Sequence, residues 1–378
     1  MQKKPSIVFA MRYPDNIGVV WASMGRIYDA VAKRLAGSHR SVIAYPQLTG
    51  TAVYKPNCLQ PVSLDLYDNS AKYRETIRQF LDAEQVCAIV YFGCDPSTID
   101  LASVRAGGVR TINYDQDSYP VATSQPTWKW ATKAITRRLL QRNIHDLYVA
   151  NADHQRQFLL RHAVLPPGRV KIVVNGVDPV RFSPGPMPNP TELGVPAARQ
   201  YVVSVCQARP EKRIDFLIEI ATEYAKRYPT ADATFVHVGD GPALAGWIAK
   251  ANALGLGDRF VFAGGQTNVS PFHRLASVYA HCAERESFGF AVAEAMATGV
   301  PVVAANSPGP AELLSGGIGG VIVPQNQSVS FVDAIHKYLS NDQLRTETGA
   351  AGRERIEQKY TLNRQADELA TAILNTIG

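Results

Sequence analysis

Along this chain of 378 residues, short runs of consecutive apolar, often β-branched residues alternate with longer stretches whose apolar positions recur every three to four residues. A strand covered on both faces is apolar at every position, and a helix laid on a sheet is apolar on one stripe. The alternation therefore predicts an α/β chain with parallel sheets. In the first half the predicted strands run from Ser6 to Ala10, Ser41 to Tyr45, Ala88 to Phe92, Arg110 to Asn113 and Asp146 to Val149, with a helix over Trp21 to Leu35. In the second half they run from Tyr201 to Val205, Thr234 to Val238, Arg259 to Ala263, Val278 to Ala280 and Val300 to Ala304, with helices over Asp215 to Arg227 and Ala243 to Leu254.

Between the halves, Pro184, Pro186, Pro188 and Pro190 fall within seven residues. Proline fixes its own φ and pushes its predecessor into extended conformations, which predicts a semi-rigid linker. The expected plan is an N-terminal domain at 1–182, a linker at 183–197, a C-terminal domain at 198–360 and a tail helix at 361–378. The amphipathic pattern of that tail suits packing on either domain, including a return to the first.

Composition narrows the class. With 46% hydrophobic and 19% charged residues, and no run near the ~18 apolar residues a membrane span needs, the chain reads as soluble and globular. The four-residue apolar stretch at the start is too short for a secretory core. Five cysteines, odd in number and without a Cys-x-x-Cys pair, suit a reducing cytosol. A net charge of +6 favours an anionic partner: nucleic acid, a phosphorylated small molecule or an acidic membrane. Trp128 to Arg142 carries five basic and no acidic residues with Trp128, Ala131, Ile135 and Leu139 on one stripe. It reads either as a domain helix with a solvated basic face or as a helix lying in a membrane interface.

The densest candidate chemistry is Glu286-Ser-Phe288-Gly289-Phe290-Ala-Val-Ala-Glu294-Ala-Met-Ala, followed by Gly299-Val-Pro-Val-Val-Ala. The pattern predicts a strand break and a helix opening near Gly289, whose free N–H groups can hold an anion or a sugar hydroxyl. Glu294 is expected about two turns along that helix, so that the two carboxylates can accept from vicinal hydroxyls at two places. Set in a nearly all-apolar run, Glu294 would cost several kcal/mol if buried without a partner, which favours a functional carboxylate over a solvent-facing one.

Three further stretches end strands. Cys206-Gln-Ala-Arg209-Pro-Glu-Lys212-Arg213 precedes a helix, and cations at a helix start oppose its dipole, so an anion is expected there. Val238-Gly239-Asp-Gly-Pro242 and Phe260-Val-Phe-Ala-Gly264-Gly-Gln266 place glycines where backbone can approach a ligand, or simply turn. Asn175-Gly176-Val-Asp178 is a turn, with Phe182 as an aromatic anchor.

Together these stretches resemble the retaining GT-B glycosyltransferases with a Glu-x7-Glu signature, the group 1 or family 4 type, densely from about Asp146 to Tyr360 and thinly before that. The resemblance implies two Rossmann-like domains facing across a cleft, with the acceptor on the first and the donor on the second. It implies metal-independent transfer, with retention, from a UDP- or GDP-linked sugar to a hydroxyl of a glycan, glycolipid or small-molecule acceptor in bacterial glycan assembly. The nucleoside-diphosphate sugar is a co-substrate; no cofactor and no nucleic acid is implied. Glu286 would orient the transferred sugar, Glu294 would bind ribose, and Lys212 would clamp the diphosphate. The family's arginine position holds Gln207, so Arg209, the nearest guanidinium, is expected to serve instead. Gly18, Gly239, Gly264, Gln266, Phe288, Gly289 and Phe290 would line the donor, and Tyr114 and Asp115 would stand on the acceptor side where relatives show a His-Asp pair. The Trp128 to Arg142 stretch would touch the inner face of the cytoplasmic membrane. Two alternatives share the architecture: an epimerase using Asp115, Asp117 and His145, and a non-catalytic sugar-nucleotide-binding subunit. An NAD-dependent dehydrogenase is disfavoured, because no Gly-x-Gly-x-x-Gly follows the first strand.

Overall fold

The computed structural model describes residues 4–16, 18–52, 54–94, 99–116, 144–161 and 165–378. Trp128 to Arg142 and Asp117 lie outside the described residues. The chain divides into two compact units, Met1–Val174 with Leu362–Gly378, and Asn175–Thr361. The Pro-rich stretch at 183–197 is part of the second unit, where Pro190–Leu193 forms one 3-10 turn capped by the Asn189 side chain and closed by left-handed Gly194.

The first unit holds seven parallel strands: β1 (Ser6–Ala10), β2 (Arg40–Tyr45), β3 (Gln60–Ser63), β4 (Val86–Phe92), β5 (Arg110–Asp115), β6 (Leu147–Ala150) and β7 (Val170–Ile172), in the order β3-β2-β1-β4-β5-β6-β7. All five residues of β1 are buried, as a strand paired on both edges and covered on both faces requires. The returning helix Leu362–Ile377 belongs to this unit. Its Gln365 donates to the Tyr114 hydroxyl, and its Asp367 pairs with Arg34 of the helix Gly18–Leu35 at 2.5 Å.

The second unit repeats the pattern with β8 (Gln200–Val205), β9 (Ala233–Val238), β10 (Phe260–Phe262), β11 (Val278–His281), β12 (Val302–Ala305) and β13 (Gly320–Val323), in the order β10-β9-β8-β11-β12-β13. Helices Ile214–Arg227 and Ser328–Leu339 cover one face, with Phe216 against Phe331 edge-on at 5.6 Å. The predicted core strands are present. The strands the pattern did not anticipate, β3, β7 and β13, all lie at sheet edges, and β3 is largely exposed. Both sheets are Rossmann-like. In each, the strand order reverses once, between β1 and β4 and between β8 and β11.

Among the described residues, no helix is long and apolar enough to cross a membrane.

Candidate functional site

In an open parallel sheet, ligand sites form beyond the carboxyl ends of strands where the order reverses, because the flanking loops there turn away from each other and leave a crevice. In the second unit, that point lies between β8 and β11, which pair at Val202 with Val278 and at Val203 with Tyr279. The loop after β8 carries Lys212, and the loop after β11 carries Glu286. Lys212 Nζ donates to Glu286 Oε2 at 2.7 Å across this point. The loops are tied twice more, by Glu284 N–H to the Glu211 carbonyl at 3.2 Å and by an Arg213–Glu284 ion pair.

Arg213 has a local account. It takes the left-handed conformation at φ 53 just before the helix Ile214–Arg227, and its guanidinium is held by Asp215, Glu284 and Asn326. Internal carboxylates therefore offset the charge that suggested an external anion. Lys212 keeps the expectation alive: an ammonium has three donors, and Glu286 takes one of them.

The electrostatics of the pair follow from its burial. Burial alone would raise the Glu286 pKa, but the Lys212 ammonium, with the Lys212 and Gly289 N–H donors, outweighs it and holds the carboxyl below its usual range. Burial likewise opposes the charge on Lys212, and Glu286 outweighs it, so the lysine pKa is raised. Both groups stay charged at neutral pH. His281, at the end of β11, lies with Nε2 3.9 Å from Glu286 Oε2; burial pushes its pKa down to about 4, so it is neutral there. Cys206, on the β8 side, is pushed up to about 12 by burial and is an unreactive thiol at neutral pH.

Glu294 sits in different company. The expectation that both glutamates share one helix is corrected: the helix is Phe290–Ala297, Gly289 at φ 90 precedes it, and Glu286 stays in the loop. Gly289 adopts a backbone that side chains resist, which lets the chain turn sharply from loop to helix. Glu294 is buried, with Oε2 3.3 Å from Nε2 of the fully buried His273. Phe288 is buried against Phe290 at 5.1 Å, so its ring is a packing element.

The glycines after β9 have a structural reason. A Cβ on Gly239 would lie 1.8 Å from the Cys206 carbonyl oxygen, and one on Gly241 2.7 Å from that of Ala208. They let the loops after β8 and β9 lie against each other, with Ala208 N–H bonded to the Asp240 carbonyl. Gly264 is left-handed with open space on its Cβ side, and its carbonyl accepts from Gly239 N–H at 2.8 Å. The Gln266 amide donates to the Ala263 carbonyl. Arg209 is exposed, in extended conformation, and makes no ion pair among the described residues.

In the first unit, Gly18 opens the helix Gly18–Leu35. Tyr114 is not offered to an acceptor: it is fully buried, bonded to Gln365, with its pKa raised by burial. Its place on β5 beneath the returning helix is the physical reason. Asp115 is buried at the carboxyl end of β5, whereas His145 precedes β6 at the amino end and packs between Tyr91 and Tyr148. Of the alternative acid–base residues, Asp115 and His145 are thus separated along the strands, and Asp117 lies outside the described residues. Sequence reasoning missed His273, His281 and the Arg213–Glu284 tie. The signal for His281 was a polar residue set inside an otherwise apolar run, Val-Tyr-Ala-His281-Cys; His273, beside Arg274, gave none.

The sequence model of the family described as Glycosyl transferases group 1 matches residues 189–355. D-inositol 3-phosphate glycosyltransferase 2 of Catenulispora acidiphila is 32% identical over 200 residues, 50% of this chain and 47% of that protein. N-acetyl-alpha-D-glucosaminyl L-malate synthase of Bacillus anthracis is 25% identical over 201 residues, 53% and 52% respectively. The chain thus spans about half the length of the curated relatives it matches. Among solved structures, Anabaena Alr3699/HepE in complex with UDP and glucose is similar at a TM-score of 0.78 and 17% identity, covering 98% of this chain and 100% of that one.

Proposed function

We propose, for a chain that carries a group 1 glycosyltransferase domain in a GT-B fold, that it transfers a sugar from a nucleoside diphosphate to an acceptor hydroxyl, with retention and without a metal. The observation that carries this reading is the Lys212–Glu286 pair at the strand reversal of the second sheet. A half-buried ammonium with two donors to spare suits a diphosphate leaving group, whose developing charge is the main thing to stabilise in such a transfer. A charged carboxylate beside it suits a sugar hydroxyl, which donates to Glu286 and fixes the anomeric carbon relative to the phosphate. The acceptor proton passes to the leaving β-phosphate oxygen as the new bond forms, so no enzyme nucleophile is required. Glu294 accepts from ribose hydroxyls. The relatives' names point to small polar acceptors bearing hydroxyls, inositol phosphate and malate, and the Anabaena structure's UDP and glucose make UDP-glucose the first donor to try. Membrane contact through Trp128 to Arg142 is part of the same proposal, for an acceptor carried on a lipid.

Incubation with radiolabelled UDP- and GDP-sugars tests the reading. Transfer or slow hydrolysis of one donor is expected. Interconversion of the sugar without release would make the chain an epimerase, and no reaction with any donor would leave it a binding subunit.

A further inference from the structure

His273 is a buried polar group that the chemistry above does not use. It lies on the helix Ser270–Leu275 with 0% exposure, its ring edge-on to Phe182 at 5.7 Å and tilted against Tyr279 at 5.6 Å. Its Nε2 is 3.3 Å from Glu294 Oε2, and its Nδ1 is buried with no hydrogen-bond partner among the described residues. An imidazole costs more to bury than a phenyl ring of similar size, and here one of its two nitrogens recovers that cost while the other recovers none. Aromatic packing alone would be better served by phenylalanine. What the histidine adds is a single donor at a single place. Facing a carboxylate, Nε2 carries the hydrogen that lies between them.

For Glu294, that donor decides an orientation. The terminal torsion of a glutamate is soft, with no deep staggered wells to hold the carboxylate plane. The neighbouring helix residues, Val292, Ala293, Ala295, Met296 and Ala297, are apolar and buried and supply no donor from their side chains. One anchored oxygen fixes the plane and leaves the other as the acceptor.

We propose that His273 is a positioning residue for nucleotide binding: its Nε2–H holds Glu294 Oε2 so that Oε1 meets the ribose hydroxyls of a nucleoside diphosphate in a fixed plane. This rests on the donor reading above. The binding energy of a hydrogen bond to a charged group is realised most fully when the partners are held in line before the ligand arrives, and His273 does the holding.

The test is calorimetric affinity of the full chain for UDP and GDP and for their 2′,3′-dideoxy forms, in the wild type, His273→Phe and His273→Gln. His273→Phe keeps the ring packing and removes the donor. Its expected loss is about tenfold for the ribose form of whichever nucleotide the wild type binds, and none for the dideoxy form. His273→Gln, whose amide N–H replaces Nε2–H, is expected to recover most of the loss. Should His273→Phe not fold, His273→Leu carries the same comparison. Equal losses for ribose and dideoxy forms would mean that the histidine only supports packing, and an unchanged affinity would mean that Glu294 needs no anchor; either overturns the proposal. A wild type that binds neither nucleotide removes the donor reading itself. A wild type that binds both forms equally keeps that reading and removes Glu294 from the ribose, and His273 with it.

Discussion

Glu286 and Glu294 stand on the same face of the argument from sequence and in two unlike environments in the fold. Glu286 leaves the strand β11 in a loop and closes an ion pair with Lys212, with a neutral histidine behind it. Glu294 sits mid-helix among apolar side chains and meets one imidazole. The first carboxylate is held by charge, the second by shape and one donor. Coulomb attraction in a partly buried pair survives small displacements, whereas a hydrogen bond is lost with a change of angle. Glu286 can therefore tolerate small movements of its surroundings, whereas Glu294 keeps its contact only if it sits still.

The largest expected effect comes from breaking the charged environment. Lys212→Ala removes the ammonium and leaves the Glu286 carboxylate, 17% exposed in its side chain, without its counter-charge. Turnover with the accepted donor is expected to fall about 100-fold or more, and stability by about 3 kcal/mol. The double variant Lys212→Met with Glu286→Gln separates the two losses, because it removes the uncompensated charge. Its urea midpoint is expected to recover while its turnover does not. A double variant as unstable as Lys212→Ala would show that the pair is not what holds the two loops.

Next in size is the contrast between the glutamates themselves. Glu294→Ala is expected to weaken nucleoside diphosphate binding by about 1.5–3 kcal/mol, read by calorimetry. Glu286→Gln is expected to keep that affinity and lose turnover if, as proposed, its carboxylate meets the sugar. A nucleotide affinity lost in Glu286→Gln and kept in Glu294→Ala would exchange the two roles.

How much of this contrast was legible in the sequence depends on what each residue signals. A run such as Ser-Ile-Val-Phe-Ala is apolar at every position because β1 is paired on both edges, so central strands announce themselves. Of the four edge strands, β10 does so too, but β3, β7 and β13 do not. Gln60–Ser63 is largely exposed and contains a proline, and Gly320 in β13 is needed because a Cβ there would lie 2.1 Å from the Val302 carbonyl oxygen. The site was legible where the residues themselves are unusual: a glutamate inside Ala-Val-Ala-Glu-Ala-Met-Ala demanded a partner. Its partner's identity was not, since His273 lies 21 residues away and meets Glu294 only through tertiary packing. The pairing of Lys212 with Glu286, 74 residues apart, depends on which strands become neighbours, and that is decided by the order β8-β11. Tyr114 misled for the same reason: position in the chain suggested an acceptor, and the returning helix buries it.

The surroundings of Glu286 also set a pH dependence of stability. His281 has a folded pKa of about 4 against an ordinary 6.5, so the unfolded chain takes up a proton first as pH falls. Its contribution is a stability cost that grows below pH 6.5 and is complete near pH 4, worth about 3 kcal/mol. Glu286 has a lowered pKa, so the stability it supplies is present above the ordinary glutamate range and is lost only as pH falls below it. The two windows separate. Urea unfolding of His281→Asn and wild type at pH 7, 5.5 and 4.5 is expected to diverge in favour of the variant as pH falls. His237, also pushed to about 4 by burial, leaves the variant some residual acid sensitivity. Parallel curves would mean that His281 is charged in the folded chain and that the pair sits in a wetter environment than its burial implies.

The smallest effect should come from the cation that the fold leaves alone. Arg209 and Lys212 lie three residues apart on the same loop, but Lys212 is held by Glu286 before any ligand arrives, while Arg209 is exposed and unpaired among the described residues. An unrestrained arginine gives up about 2 kcal/mol of rotamer freedom when it is fixed on a phosphate, which consumes much of what a charged hydrogen bond returns. Lys212 has already given up that freedom on folding. Arg209→Ala is therefore expected to leave stability within about 0.5 kcal/mol and to reduce turnover by about tenfold, well short of the loss in Lys212→Ala. Its loss of turnover should shrink further at high salt, where an exposed charge is screened and a partly buried pair much less so. An Arg209→Ala enzyme as impaired as Lys212→Ala would mean that the guanidinium is ordered on the diphosphate as firmly as the lysine, taking over the clamp from the position held by Gln207.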